Sequence, residues 1–270
     1  MAHDLGDRQD LVTAGTSGIG LAIARAFARA GAQVVGAGVA GSMPVAESGP
    51  RFETLDVTDA TQVGAVVGGM DRLDVPVSAA DVIRRGDEHD PNVFARVVDI
   101  SLNGAMRVAT AARPLLAASR GCVVNMASML SFFEGGLVPA CSASKGGIAQ
   151  LTKSLAIAWA PHGVRVNALA PSWIATPLTQ ALQDDPARSA AVLARTPLGR
   201  WGTPDDVAGP VLFLCSPAVA FATGPTNGSG CRSTTTSGSG RCVSSRPAAG
   251  SSVCGCGAPA CCRATITCNR

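Results

Sequence analysis

Leu11-Val12-Thr13-Ala14-Gly15-Thr16-Ser17-Gly18-Ile19-Gly20 begins as a short apolar segment, turns through small residues and enters a helical run. In that run Ile19, Ala22, Ile23, Ala26, Phe27 and Ala30 recur at helical spacing, and Gly31 supplies the stop. Strand, glycine-rich turn and helix in that order make an opening for phosphate: small residues let the backbone approach an anion, and the helix N-terminus faces it. A tight strand–helix turn with no ligand would use the same small residues, so the weight falls on the segments downstream. Gln33-Val34-Val35-Gly36-Ala37-Gly38 reads as a second strand, and Phe52–Asp59 comes after it. Leu73–Asp81 holds a fourth strand, Val123-Val124-Asn125 another, and the stretch from Val164 a sixth, with helical segments between. That alternation predicts an α/β fold built on a doubly wound parallel sheet. Two details run against it. Gln9 and Asp10 are polar where the first strand should be apolar, and Pro76 removes a ladder donor from a strand expected in the sheet centre.

The 270 residues suffice for one full core, and 47% of them are hydrophobic. The net charge of +3 is unevenly spread: Arg232, Arg241, Arg246, Arg263 and Arg270 lie after Gly224, where no acidic residue occurs, leaving 17 basic against 19 acidic residues before it. Cysteine divides the same way, with Cys122, Cys141 and Cys215 in the body and seven of the ten beyond it. The body reads as a reduced, cytoplasmic protein. The polar start Met-Ala-His-Asp-Leu-Gly-Asp-Arg-Gln-Asp does not read as a signal peptide, and no apolar run is long enough for a membrane span. Nucleic acid is not an expected partner, because the basic region is sparse and lacks interleaved aromatics. Metal is not expected either: Cys254-Gly-Cys256 and Cys261-Cys262 match no zinc spacing, and no histidine accompanies them. Residues 225–270, rich in Cys, Arg, Ser and Gly, are expected to form a low-complexity, disordered tail.

A second stretch narrows the function. Ser128-Met-Leu-Ser-Phe-Phe-Glu-Gly-Gly-Leu-Val-Pro-Ala-Cys-Ser-Ala-Ser-Lys145 runs into a helix carrying Ile148, Leu151, Leu155 and Trp159. Spacing of four sets Cys141 and Lys145 on one helical face, and Ser128 stands just past the end of the Val123–Asn125 strand. This resembles the short-chain dehydrogenase/reductase family, whose signature is Tyr-x-x-x-Lys with a serine thirteen residues before the tyrosine. Ser128 and Lys145 stand at the matching positions and Cys141 stands where the tyrosine belongs, in a chain with no tyrosine at all. The first turn is similar to the family's Thr-Gly-x-x-x-Gly-x-Gly at Thr13, Gly18, Ile19 and Gly20, with Ala14 replacing the first glycine. Val97–Gly104 resembles the helix that supplies the family's asparagine, with Ser101 in its place. Ser78-Ala79-Ala80-Asp81 stands for Asn-Asn-Ala-Gly, and Pro171-Ser172 for Pro-Gly. Thr196–Ala208 and Val211–Ser216 also match family segments; the resemblance ends at Gly224, where relatives continue into a seventh strand. Read one base out of frame, codons for Gly230–Ser237 can encode a sequence close to that strand.

The resemblance implies a Rossmann-type doubly wound parallel sheet, three-layer α/β/α, in a single domain over residues 5–224. It implies hydride transfer between nicotinamide and a secondary alcohol or ketone: the tyrosine moves the proton, the lysine binds the ribose, the serine bonds the substrate oxygen and the asparagine holds a relay water. Lys145 and Ser128 inherit those roles; Cys141 and Ser101 occupy the other two, so impaired turnover is expected. Cofactor contacts are expected at Thr13, Gly15, Ser17, Gly18, Ile19, Gly20, Gly38, Asp56, Val57, Ala79, Lys145, Pro171, Ile174 and Thr176. Asp56 or Thr58 could equally cap the next helix. Gly38 stands where an acid would bind the NAD ribose, but Ala32 to Pro50 holds no Lys or Arg to neutralise an NADP phosphate, so NAD is preferred over NADP. Ile83-Arg84-Arg85 and Ser128–Phe132 look most like gluconate 5-dehydrogenase and 2-deoxygluconate 3-dehydrogenase members, which implies a sugar-acid or polyol substrate. Arg84 or Arg85 then meets a carboxylate or stays solvated. Leu178–Arg195 is the expected substrate lid, and a homo-oligomer is the expected assembly. Two other readings stay open: a catalytically silent nucleotide-binding protein, and the product of a damaged gene.

Overall fold

The computed structural model describes residues 5–44, 49–133 and 135–229. Seven strands are present among them: β1 (Gln9–Thr13), β2 (Gln33–Gly38), β3 (Arg51–Thr54), β4 (Val75–Ser78), β5 (Cys122–Met126), β6 (Arg165–Pro171) and β7 (Thr226–Ser229). They form one parallel sheet in the order β3-β2-β1-β4-β5-β6-β7. The helices are α1 (Gly18–Arg29), α2 (Ala60–Gly68), α3 (Pro91–Val98), α4 (Gly104–Ser119), α5 (Pro139–Trp159), α6 (Gln180–Gln183), α7 (Pro186–Leu193) and α8 (Pro204–Cys215). Successive strand residues point to opposite faces, and here both are apolar, so both faces must be covered. Val12, Val77 and Val124 pack with Ile23, Phe27, Val211 and Leu214 on one face. Leu11, Val35, Val123 and Val166 pack with Val63, Val66, Leu116, Leu155 and Trp159 on the other. The strand order reverses between β1 and β4, and in such sheets the ligand crevice opens there, beyond the carboxyl ends of the strands.

The polar start of β1 is resolved by a buried ion pair. Asp10 pairs in register with Val34 and Val75, is fully buried, and meets Arg8 at 3.3 Å. Burial nevertheless outweighs the guanidinium and lifts the Asp10 carboxyl from 3.8 to about 7. Pro76 stays inside β4 opposite Leu11, with Val75 and Val77 paired on either side of it. The flanking valines are almost fully buried, and their packing carries a strand that one missing donor does not break.

Two expectations need correction. The boundary at Gly224 falls short of the sheet's end: Thr226–Ser229 pairs in parallel with Ala168–Pro171, so the sheet runs on to Ser229. Thr-Asn-Gly-Ser carries no apolar alternation because the edge strand forms through its backbone. The helix after β3 is capped by Asp59, whose carboxylate accepts from Thr61 and Gln62, and not by Asp56 or Thr58. The remainder of the expected tail, including Gly230–Ser237, lies outside the described residues. Among the described residues no helix is long and apolar enough to cross a membrane.

Candidate active site

The glycine turn carries α1 to the crevice N-terminus first. A Cβ on Gly20 would collide with the carbonyl oxygen of Ala14, and one on Gly15 would sit 2.6 Å from that of Val12. Ala14 itself turns with φ +49, the left-handed region that an L side chain resists and glycine adopts freely. Ser17 caps α1 by backbone only, and its exposed hydroxyl makes no cap bond among the described residues. Gly18 lies beside Thr176: a Cβ on it would be 3.6 Å from the threonine side chain, so the turn and the loop after β6 meet here. In that loop Ile174 bridges Gly202 and its carbonyl takes the Thr179 hydroxyl at 2.7 Å, while Pro171 closes β6. Trp201, edge-on to Trp173, donates to Ser189, tying α7 to the same loop. The expected lid residues thus form α6 and α7.

Thr13 works within the protein. Its hydroxyl oxygen accepts from the amides of Ala79 and Ala80 at 3.0 and 3.1 Å, clamping the exit of β4 to the end of β1. Gly38 has no space for a larger residue, because a Cβ would press into Thr16, whose hydroxyl is 2.8 Å from that of Ser42. Further along, Asp56 accepts from the Thr58 amide and hydroxyl, which hold its carboxyl below the ordinary range, and Arg96 lies 3.8 Å away. Val57 is buried against Gly104.

The residues that the sequence offers for catalysis lie on α5 and on the turns packed against it. Lys145 is 4% exposed; its ammonium donates to the Met126 carbonyl at 2.9 Å and pairs with Asp81 at 3.2 Å. One turn earlier Cys141 is 1% exposed, packed with Val97, Val138 and Ala140. Burial, with the Asp81 charge adding to it, pushes its thiol up to about 12, so it stays protonated. Ser128 caps a short 3-10 turn at Met129–Ser131, accepting from the Leu130 amide at 3.2 Å, which leaves its own proton to donate. That turn is stitched to α5 by the Ser131 hydroxyl on the Lys145 carbonyl at 2.7 Å. Ser101 sits in a π-turn, Asp99–Asn103, that breaks α3 from α4; its hydroxyl is buried and finds no partner among the described residues. Such bulges often mark functional sites.

Two carboxylates lie outside the expected set of site residues. Asp81 stood out in the sequence only as a charge in place of glycine. Glu88 gave no signal, yet it is fully buried and spans two elements, accepting from the amides of Arg84 and Cys141 at 2.9 Å each. It thereby holds the first turn of α5 from outside the helix. Beside it a cleft of about 470 Å³ is lined by Arg84, Asp87, Asn92, Arg96 and apolar residues that include Val82 and Val97, which also back onto Cys141.

Residues 13–227 match a family model described as enoyl-(acyl carrier protein) reductase. A 2-dehydro-3-deoxy-D-gluconate 5-dehydrogenase of Pseudoalteromonas atlantica is 36% identical over 230 residues, which is 79% of this chain and 91% of that one. A cis-4-hydroxycyclohexanecarboxylate dehydrogenase of Sinomonas cyclohexanicum is 38% identical, over 83% of this chain and 95% of its own. Among solved structures, a gluconate 5-dehydrogenase from Burkholderia cenocepacia in complex with NADP and tartrate superposes with a TM-score of 0.76 at 30% identity, covering 84% of this chain and 95% of that chain.

Proposed function

Because the chain belongs to the short-chain dehydrogenase/reductase family, we propose that it is an NAD(P)-dependent oxidoreductase acting on a secondary alcohol of a sugar acid, with turnover held down by Cys141. The observation that carries this reading is that the glycine turn meets the Thr176 loop at the carboxyl end of the sheet, where Lys145 is also buried on the Met126 carbonyl that ends β5. The turn fits a dinucleotide: Gly15 and Gly20 let it close tightly against its own backbone, so the N-terminus of α1 opens at the end of β1, and the Ser17 hydroxyl is free of cap bonds. Gly18 and Ile19 would meet the phosphates, Asp56 and Val57 the adenine end, Ala79 the ribose path, and Pro171, Ile174 and Thr176 the carboxamide end. Lys145 has three N–H donors and spends two, so one is left for a ribose hydroxyl. When bound, the dinucleotide supplies or takes the hydride.

The chain's own residues then decide the proton chemistry. Ser128 bonds the substrate oxygen with its free proton. Cys141 contributes little, since a thiol held near 12 neither gives nor takes a proton readily at neutral pH, and its reach is shorter than a phenol's. Ser101, at the asparagine position, has an unspent hydroxyl for a relay water. NADP enters beside NAD as a cofactor: a relative of the same fold binds it, and Gly38 discriminates against neither. Arg84 and Arg96 line one cleft with Asp87, and Arg96 already faces Asp56 at 3.8 Å, so Arg84 is the residue offered to an acidic substrate. By resemblance to the family, the assembly proposed is a homo-oligomer. The buried, protonated thiol also favours a second reading, a silent nucleotide-binding protein. Calorimetric titration with NADPH and NADH tests both. Saturable binding supports them, and turnover of an aldonic acid or polyol separates the first from the second. A folded protein that binds neither dinucleotide removes the two together.

A further inference from the structure

If Cys141 keeps its proton, the site needs another group to accept one. Lys145 as an ammonium has no lone pair to offer, and Ser128 is already an acceptor for the Leu130 amide. Both oxygens of Glu88 are taken by backbone amides, Oε1 by Arg84 and Oε2 by Cys141. Asp81 differs from all of these. Its backbone leaves β4 through Ala79 and Ala80, whose amides are clamped to Thr13, so the carboxylate is delivered to a fixed place. Oδ2 faces the Lys145 ammonium at 3.2 Å. Oδ1 is buried and finds no hydrogen-bond donor among the described residues. A buried carboxylate oxygen without a donor is costly, and the cost is relieved only when a donor arrives.

The geometry points to Asp81 as the proton acceptor of this site, taking the hydroxyl proton of a secondary alcohol onto Oδ1. The inference rests on the oxidoreductase reading. In the step the substrate O–H bond breaks toward Oδ1 and the carbinol C–H bond breaks with its electron pair passing to an oxidised nicotinamide dinucleotide. The C=O bond forms between them, and the proton leaves Asp81 for solvent when product departs. Lys145 holds the carboxylate in position and offsets its charge. Tyrosine and glycine are both missing, at positions 141 and 81, and on this view one change answers the other.

Asp81→Asn tests it on the full chain, with NADP+ as the calorimetric probe and a panel of aldonic acids and polyols for turnover. The expected result is NADP+ affinity unchanged or tighter, since Lys145 is released, and kcat lowered by about 100-fold or more with the alcohol KM little moved. Asp81→Gly, with a cooperative melt as the check on folding, should behave alike and guards against a misfolded variant. A wild-type kcat in either folded variant overturns the assignment and leaves the oxidoreductase reading standing. Loss of NADP+ binding in the variants also overturns it, making Asp81 part of the cofactor site. Wild-type protein that binds NADP+ yet oxidises nothing overturns it in favour of the silent binder. Wild-type protein that binds no dinucleotide removes the parent reading as well.

Discussion

Asp10 makes the fold sensitive to pH in an unusual direction, and Asp10→Asn should remove that sensitivity. The carboxyl sits at about 7 in the folded chain against 3.8 when unfolded, because burial outweighs the pull of Arg8. The folded state therefore holds this proton more tightly than the unfolded state does. Its contribution is most favourable below pH ~4, is lost as pH rises through the interval from 3.8 to about 7, and stays lost above it. At roughly 1.4 kcal/mol for each unit of pKa, the whole interval is worth about 4 kcal/mol, and the part between pH 5 and pH 8 about 3 kcal/mol. The carboxylates of Asp56 and Asp99, held low by hydrogen bonds from Thr58 and Arg107, work in the opposite sense but are ionised before pH 5. Urea unfolding at pH 5 and pH 8 reads the difference, with the asparagine variant cancelling every other titrating group. The wild type should lose about 3 kcal/mol more than the variant between the two pH values. Equal losses in the two proteins would refute the argument that burial governs Asp10.

Other changes probe the site. Ala14→Gly relieves a left-handed φ of +49 and should stabilise the fold by about 1 kcal/mol in urea unfolding. Glu88→Ala strands the amides of Arg84 and Cys141, each at a cost of about 1–3 kcal/mol, and should lower the melting temperature while leaving the glycine turn intact. Cys141→Tyr joined to Asp81→Gly restores a phenol next to an unencumbered Lys145. Steady-state assays should then show turnover raised about 100-fold or more over Asp81→Gly alone.

Much of this was legible in the chain because it depends on near neighbours. The apolar runs of β1, β2 and β5, the small residues after Thr13 and the α5 face with Ile148, Leu155 and Trp159 all come from local periodicity. What escaped depends on residues far apart in sequence. Asp10 looked foreign to a strand until Arg8 and the sheet closed over it. Glu88 is an ordinary acid in a polar loop, and only the fold brings it under the first turn of α5, 53 residues later. The π-turn at Asp99–Asn103 shifts hydrogen bonds without changing composition, and β7 pairs through its backbone with no side-chain pattern to announce it. Asp81 was visible as a misfit, but its partner Lys145 lies on another element.

The crowding between Gly38 and Thr16 constrains how this lineage can change. Thr16 is buried and β-branched, so it cannot swing aside for a new neighbour. Any mutation that places an aspartate at the end of β2 must come after position 16 has shrunk; in the reverse order the intermediate is a crowded, poorly folding protein. Adaptation toward one dinucleotide is thus a path with a fixed sequence of steps, and descendants carrying the acid should carry a smaller residue at position 16 as well.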